Sequence, residues 1–156
     1  MTATKKPATL AERLAHARNL SADLNASTDK LNASLEVLER KFRELDLGVE
    51  ASIDLTSDWE REGNEWRRLC FEKVGGGWRF SIVTGNEAIE PNFDSTPLLK
   101  ASRAWRLEAA MKMDALLEEM INEAERQIDM VNKAALGVDL LASTIEFASK
   151  PKRAST

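Results

Sequence analysis

Few residues in this 156-residue chain are of the kinds that do chemistry, and their spacing assembles no catalytic site. The one histidine, His16, and the one cysteine, Cys70, lie far apart. A zinc site takes three or four clustered ligands at short spacings, and this pattern offers no such cluster. His16 stands beside Ala17 on a helical stretch and reads as a surface residue. Cys70 falls in the middle of an apolar strand and reads as a small packed side chain rather than a nucleophile. Gly75-Gly76-Gly77 lacks the lysine and the serine or threonine of a phosphate-binding loop, so it is a turn. The expectation is a non-enzyme without cofactor or metal.

Charge and aromatic residues point instead to binding. Lys100, Arg103 and Arg106 recur at spacings of three, with Trp105 among them. Arg40, Lys41 and Arg43 stand at the end of an earlier helical stretch, and Arg67 and Arg68 lie in a strand. Brought together, they form a basic collar for an anion such as a nucleic acid or an acidic protein. The competing reading is a salt-bridged, solvated surface, because Glu39, Glu44, Asp46 and Glu108 are interleaved with them. Trp78 and Trp105 are expected in the core. Trp59, in the acidic segment from Ser57 to Glu62, is the candidate exposed anchor for a partner.

These residues need elements to position them. Thr9 and Glu12 form a capping box at the start of a helix. From Leu10 the seam runs through Leu14, Ala17, Ser21, Leu24, Thr28, Leu31, Leu35, Leu38 and Phe42 to Leu45, in steps of four and three. That is a heptad pattern of about five repeats. It also accounts for the repeated Leu-Asn-Ala-Ser at 24–27 and 31–34, whose sequons need a secretory context. Gly48 marks the end of this helix.

A three-stranded antiparallel meander is predicted next. Its strands are Val49 to Leu55, about Trp66 to Val74 and about Gly77 to Thr84, with a polar loop from Ser57 to Glu65. A two-residue Gly75-Gly76 turn sets Phe71 opposite Phe80, Leu69 opposite Ile82, Cys70 opposite Ser81 and Glu72 opposite Arg79. A slip by one residue would set Glu72 against Phe80. Residues 85–95 form a connection. Thr96-Pro97 then reads as the cap and first position of a second long helix. Its apolar stripe runs through Met113, Leu117, Met120, Ile121, Ala124, Ile128, Val131, Ala135 and Val138, and a break at Gly137 is allowed for.

The expected fold is therefore α+β and mainly helical, with two long amphipathic helices flanking the meander. Residues 9–148 form one domain, and 1–8 and 149–156 are flexible tails. The helices would span about 54 and 60 Å. They are expected to lie antiparallel, with the sheet capping their shared end. The second stripe is wider than a two-helix seam needs. A homodimer through Ala124, Ile128, Val131 and Ala135 is therefore expected.

Composition agrees with this picture. The chain is 43% hydrophobic and 31% charged, an ordinary globular balance, and its net charge of −4 disfavours a general nucleic-acid binder. No apolar run approaches the roughly 20 residues of a membrane span. No apolar stretch follows Lys5 and Lys6, so the first residues do not read as a signal peptide, and a cytoplasmic protein is expected. The function that fits is a non-enzymatic interaction module that binds another protein. The alternative is a nucleic-acid accessory protein using the collar.

Overall fold

The computed structural model describes residues 8–88 and 93–149, the side chains of residues 58 and 59 excepted. The expected tails fall almost wholly outside them. The fold is α+β. In chain order the elements are α1 (Leu10–Glu44), β1 (Ala51–Asp54), α2 (Asp58–Glu62), β2 (Glu65–Val74), β3 (Gly77–Asn86), β4 (Asp94–Pro97), a 3-10 turn (Leu98–Lys100), α3 (Arg103–Ala110) and α4 (Met113–Ser149).

α1 starts as its cap dictates. The Thr9 hydroxyl accepts from the Glu12 N–H at 3.3 Å, and Glu12 accepts from the Thr9 N–H at 2.7 Å. The helix closes on Leu45, three residues before Gly48. Asp46 and Gly48 then take positive φ to turn the chain toward β1, a conformation only glycine adopts without cost.

The β2–β3 hairpin has the register that cross-strand matching demands. Phe71 faces Phe80, Leu69 faces Ile82, Cys70 faces Ser81 and Glu72 faces Arg79 across a Gly75-Gly76 turn in which both φ angles are positive. The sheet has four strands rather than three, in the order β1-β2-β3-β4. The fourth comes from the segment read as a connection and helix cap. Pro97 lies opposite Ser81 at the end of an edge strand, where a missing N–H breaks no ladder. The second helix therefore does not begin at Pro97. It is divided into the 3-10 turn, α3 capped by the Ser102 hydroxyl, and α4. The expected polar loop also contains a short helix, α2.

Helices cover one face of the sheet. The core joins Leu35 and Phe42 of α1, Ala51, Leu69, Phe71, Phe80 and Ile82 of the sheet, Leu98, Ala109, and Met113, Leu116 and Met120 of α4. Phe42 meets Phe80 and Phe71 edge-on, with ring centroids 4.9 and 5.6 Å apart. Such aromatic pairs add about 0.5–1.5 kcal/mol each to the burial itself.

The long helices do not form an antiparallel hairpin. Phe42 and Asp46 share a cleft with Met120, while Leu47 and Val49 share one with Ala124, Ile128 and Val131. α4 thus passes Phe42 near the end of α1 and continues beside Leu47 and Val49 beyond that end, instead of returning along α1. Each leaves an arm without cover from its own chain. Residues 10–27 of α1 are exposed throughout, and so is α4 beyond Ala124. The arms reach about 30 and 40 Å. Gly137 leaves α4 unbroken, since the helix runs to Ser149.

Candidate functional site

At the sheet end where β2 begins and β3 finishes, Arg67 ties three elements together. It is 9% exposed. Its Nη1 pairs with Glu60 of α2, and its Nη2 donates to Glu108 of α3 at 2.8 Å. Its guanidinium lies 5.1 Å from the centre of the Trp105 ring, within cation–π range. The two ion pairs tie α2 and α3 to β2. Sequence reading placed Arg67 in the basic collar. The available clue was a basic residue at an inward-facing strand position, two residues from Leu69.

The Glu60 carboxylate shows the electrostatic consequence. Desolvation pushes its pKa up, but hydrogen bonds from the Ser57 N–H and hydroxyl, together with Arg67, outweigh it and hold the carboxyl below the ordinary glutamate range. A depressed carboxylate stabilises the fold fully above its unfolded pKa, and that contribution disappears as pH falls through the folded value. Asp54 behaves alike, lowered chiefly by hydrogen bonding from Thr56, against desolvation, and also by Arg61. Melting temperature is therefore expected to hold near neutral pH and to fall below about pH 4. Glu60→Gln should flatten the acid limb in a melting series read by circular dichroism.

Beside Arg67 lies an open cleft of about 380 Å³, lined among others by Trp66, Trp105, Glu65, Asp94 and Gly85. The Trp66 ring rests directly on Gly85, where an added Cβ would lie 2.3 Å from the ring, so only glycine is compatible with this placement. Phe93 packs on Trp66 at 5.5 Å between centroids, and the Arg68 guanidinium lies 5.1 Å from the same ring. Sequence reading did not single out this cleft, because it draws on β2, β3, β4 and α3 together.

The predicted basic collar is largely tied up by neighbouring carboxylates. Lys41 pairs with Glu44 at 3.2 Å, Arg40 approaches the same carboxylate at 4.0 Å, and Arg43 pairs with Glu39. Arg106 donates from Nη1 to the Leu99 carbonyl at 3.2 Å and is half-buried. Lys100 and Arg103 are exposed. Trp59 lies in α2, and its side chain is outside the described part. Trp78 stacks on Phe71 at 5.3 Å. Trp105 is half-buried against the core. Burial, and next Glu72, push the Cys70 thiol up to about 11, which suits a packed residue rather than a nucleophile. His16 is exposed on α1.

The expected self-association residues occupy one line on α4. Ala124 is half-buried beside Leu47 and Val49, while Ile128, Val131 and Ala135 are exposed. Met113, Leu117 and Met120 carry the same line into the core, so the buried stripe continues uncovered into the arm. Leu136, Leu140 and Phe147, the last 81% exposed, form a second apolar face on the far side of the arm. No helix among the described residues is long and apolar enough to cross a membrane. Compared with known proteins, the chain matches no family model, no curated sequence and no solved structure.

Proposed function

We propose that this chain is a non-enzymatic, cytoplasmic interaction module that pairs with a second copy of itself through the α4 arm and binds another protein. One observation carries the reading: the core stripe of α4 runs on, uncovered, through Ile128, Val131, Val138 and Ile145. Monomers rarely expose contiguous apolar patches above a few hundred Å². Ile128, Val131, Val138, Leu141 and Ile145 are each more than half exposed, a strip that a second helix can cover. A second copy is the occupant that fits, because a seam of constant heptad phase is self-complementary about a two-fold axis. Pairing through this seam covers one face of the arm and leaves Leu136, Leu140 and Phe147 available to a partner protein. The pairing of Arg40, Lys41, Arg43 and Arg67 with carboxylates favours this reading over the nucleic-acid alternative.

Light scattering tests this directly. At micromolar concentration the expected mass is twice the chain mass of 17.4 kDa, and the single-chain mass would reject the dimer. Val131→Lys should shift the dimer toward monomer by placing an unpaired charge in the contact. Val131 is 65% exposed in the single chain, so the fold itself should survive the change.

A further inference from the structure

We propose that the apolar cleft at the root of the α4 arm receives the tip of the same helix from a second copy, so that the two arms pair antiparallel. The inference rests on the self-association proposed above and adds its direction, its register and the site that receives the tip.

The first observation is the cleft. Where α4 leaves its own chain, Leu47 and Val49 of the α1–β1 connection stand beside Ala124, Ile128 and Val131 around an open space of about 430 Å³. Val49 is buried, Leu47 is 39% exposed, and Ile128 and Val131 are more than half exposed. The cleft shares Ile128 and Val131 with the uncovered stripe. A helix laid along the stripe therefore meets Leu47 as well.

The second observation is spacing. The seam positions of the arm are Ala124, Ile128, Val131, Ala135, Val138, Ala142, Ile145 and Ser149, in steps of four and three. The series has the same steps read from either end, about a centre between Ala135 and Val138. Beyond its first position every residue of α4 is exposed, and its last position is the final residue of the helix. In an antiparallel pair about that centre, Ile128 faces the second copy's Ile145, Val131 faces its Ala142 and Ala135 faces its Val138. Ala124, which lines the cleft, faces the second copy's Ser149. The tip of each arm thus ends at the cleft of the other chain.

The third observation is side-chain size. Parallel pairing would stack like on like, with Ala135 on Ala135 and Ala142 on Ala142 between layers of paired valine or isoleucine. Close packing is best met when large residues face small ones, and facing alanines beside facing valines leave gaps. The antiparallel pair sets each of these alanines against a valine. Its one small layer, Ala124 with Ser149, is the layer that Leu47 and Val49 flank. Parallel pairing would instead set cleft beside cleft, with both tips about 40 Å away along the arms.

Cross-linking tests the arrangement. Leu47→Cys and Ser149→Cys are introduced singly and together in a Cys70→Ser background and treated with a short bis-maleimide. The double variant should give a covalent dimer, and neither single variant should, because each site lies far from its own copy in an antiparallel pair. Leu47 stands off the seam, so Leu47→Lys isolates the cleft. It should weaken self-association about tenfold by setting a charge against the second copy's tip. The proposal is overturned if Ser149→Cys alone gives the covalent dimer, if the double variant gives none, or if Leu47→Lys associates like the parent. Light scattering on the same samples separates the two readings. A doubled mass with cross-linking through Ser149→Cys alone keeps self-association and rejects this arrangement, whereas the single-chain mass rejects both.

Discussion

Arg67→Ala is expected to destabilise the protein by about 3–5 kcal/mol, because it leaves two partly buried carboxylates without their cation. Glu60 and Glu108 reach Arg67 from different helices. Both helices therefore lose their charged ties to β2. The effect should appear as a lowered denaturant midpoint, with early exposure of Trp105, whose ring the guanidinium covers. The triple change Arg67→Met, Glu60→Gln and Glu108→Gln separates net attraction from the cost of orphaned charge. Replacing a whole buried ion network by neutral groups is often close to neutral in stability. The triple variant should thus recover most of what Arg67→Ala loses. Equal losses in the two variants would show that apolar packing, and not the paired charge, holds α2 and α3.

Phe42→Ala is expected to cost a similar 3–5 kcal/mol, through lost burial and the cavity left among rings that cannot collapse inward. Phe42 is 4% exposed and packs on Phe71 and Phe80, the cross-strand pair at the centre of the sheet. It is also the last buried residue of α1, so it anchors the whole helix. Leu14→Ala, one seam position far out on the arm, should by contrast change the single chain little, since that residue is 54% exposed. Comparing the two by chemical denaturation at low protein concentration tests whether α1 is fastened only at its C-terminal end. A loss from Leu14→Ala as large as that from Phe42→Ala would mean that the arm is buried.

The local features were legible because each depends on residues close together in sequence. The capping box needs only Thr9 and Glu12, and the hairpin register needs only a glycine turn and the side chains on either side of it. Helical periodicity located α1 and α4 and the stripe of each. The misreadings arose where one local signal had two meanings. Thr96-Pro97 suits a helix start, but it also suits the end of an edge strand, and pairing with Ser81 to Thr84 selects the strand. The interleaved charges from Glu39 to Glu44 pair with one another along α1, as opposite charges three or four apart on a helix do.

By itself, the sequence determined the helix, hairpin and helix order, the inward residues of the β2–β3 hairpin and the apolar stripe of α4. All of these follow from periodicity and turn chemistry within about ten residues. Only the tertiary structure decided that each long helix carries an arm its own chain leaves uncovered and that Arg67 is buried between Glu60 and Glu108. Those outcomes depend on contacts between elements that are distant in sequence. They bring together residues tens of positions apart, such as Arg67 with Glu108 and Phe42 with Phe80. Periodicity ranks which residues of an element face inward, but it carries no information about which distant element they meet.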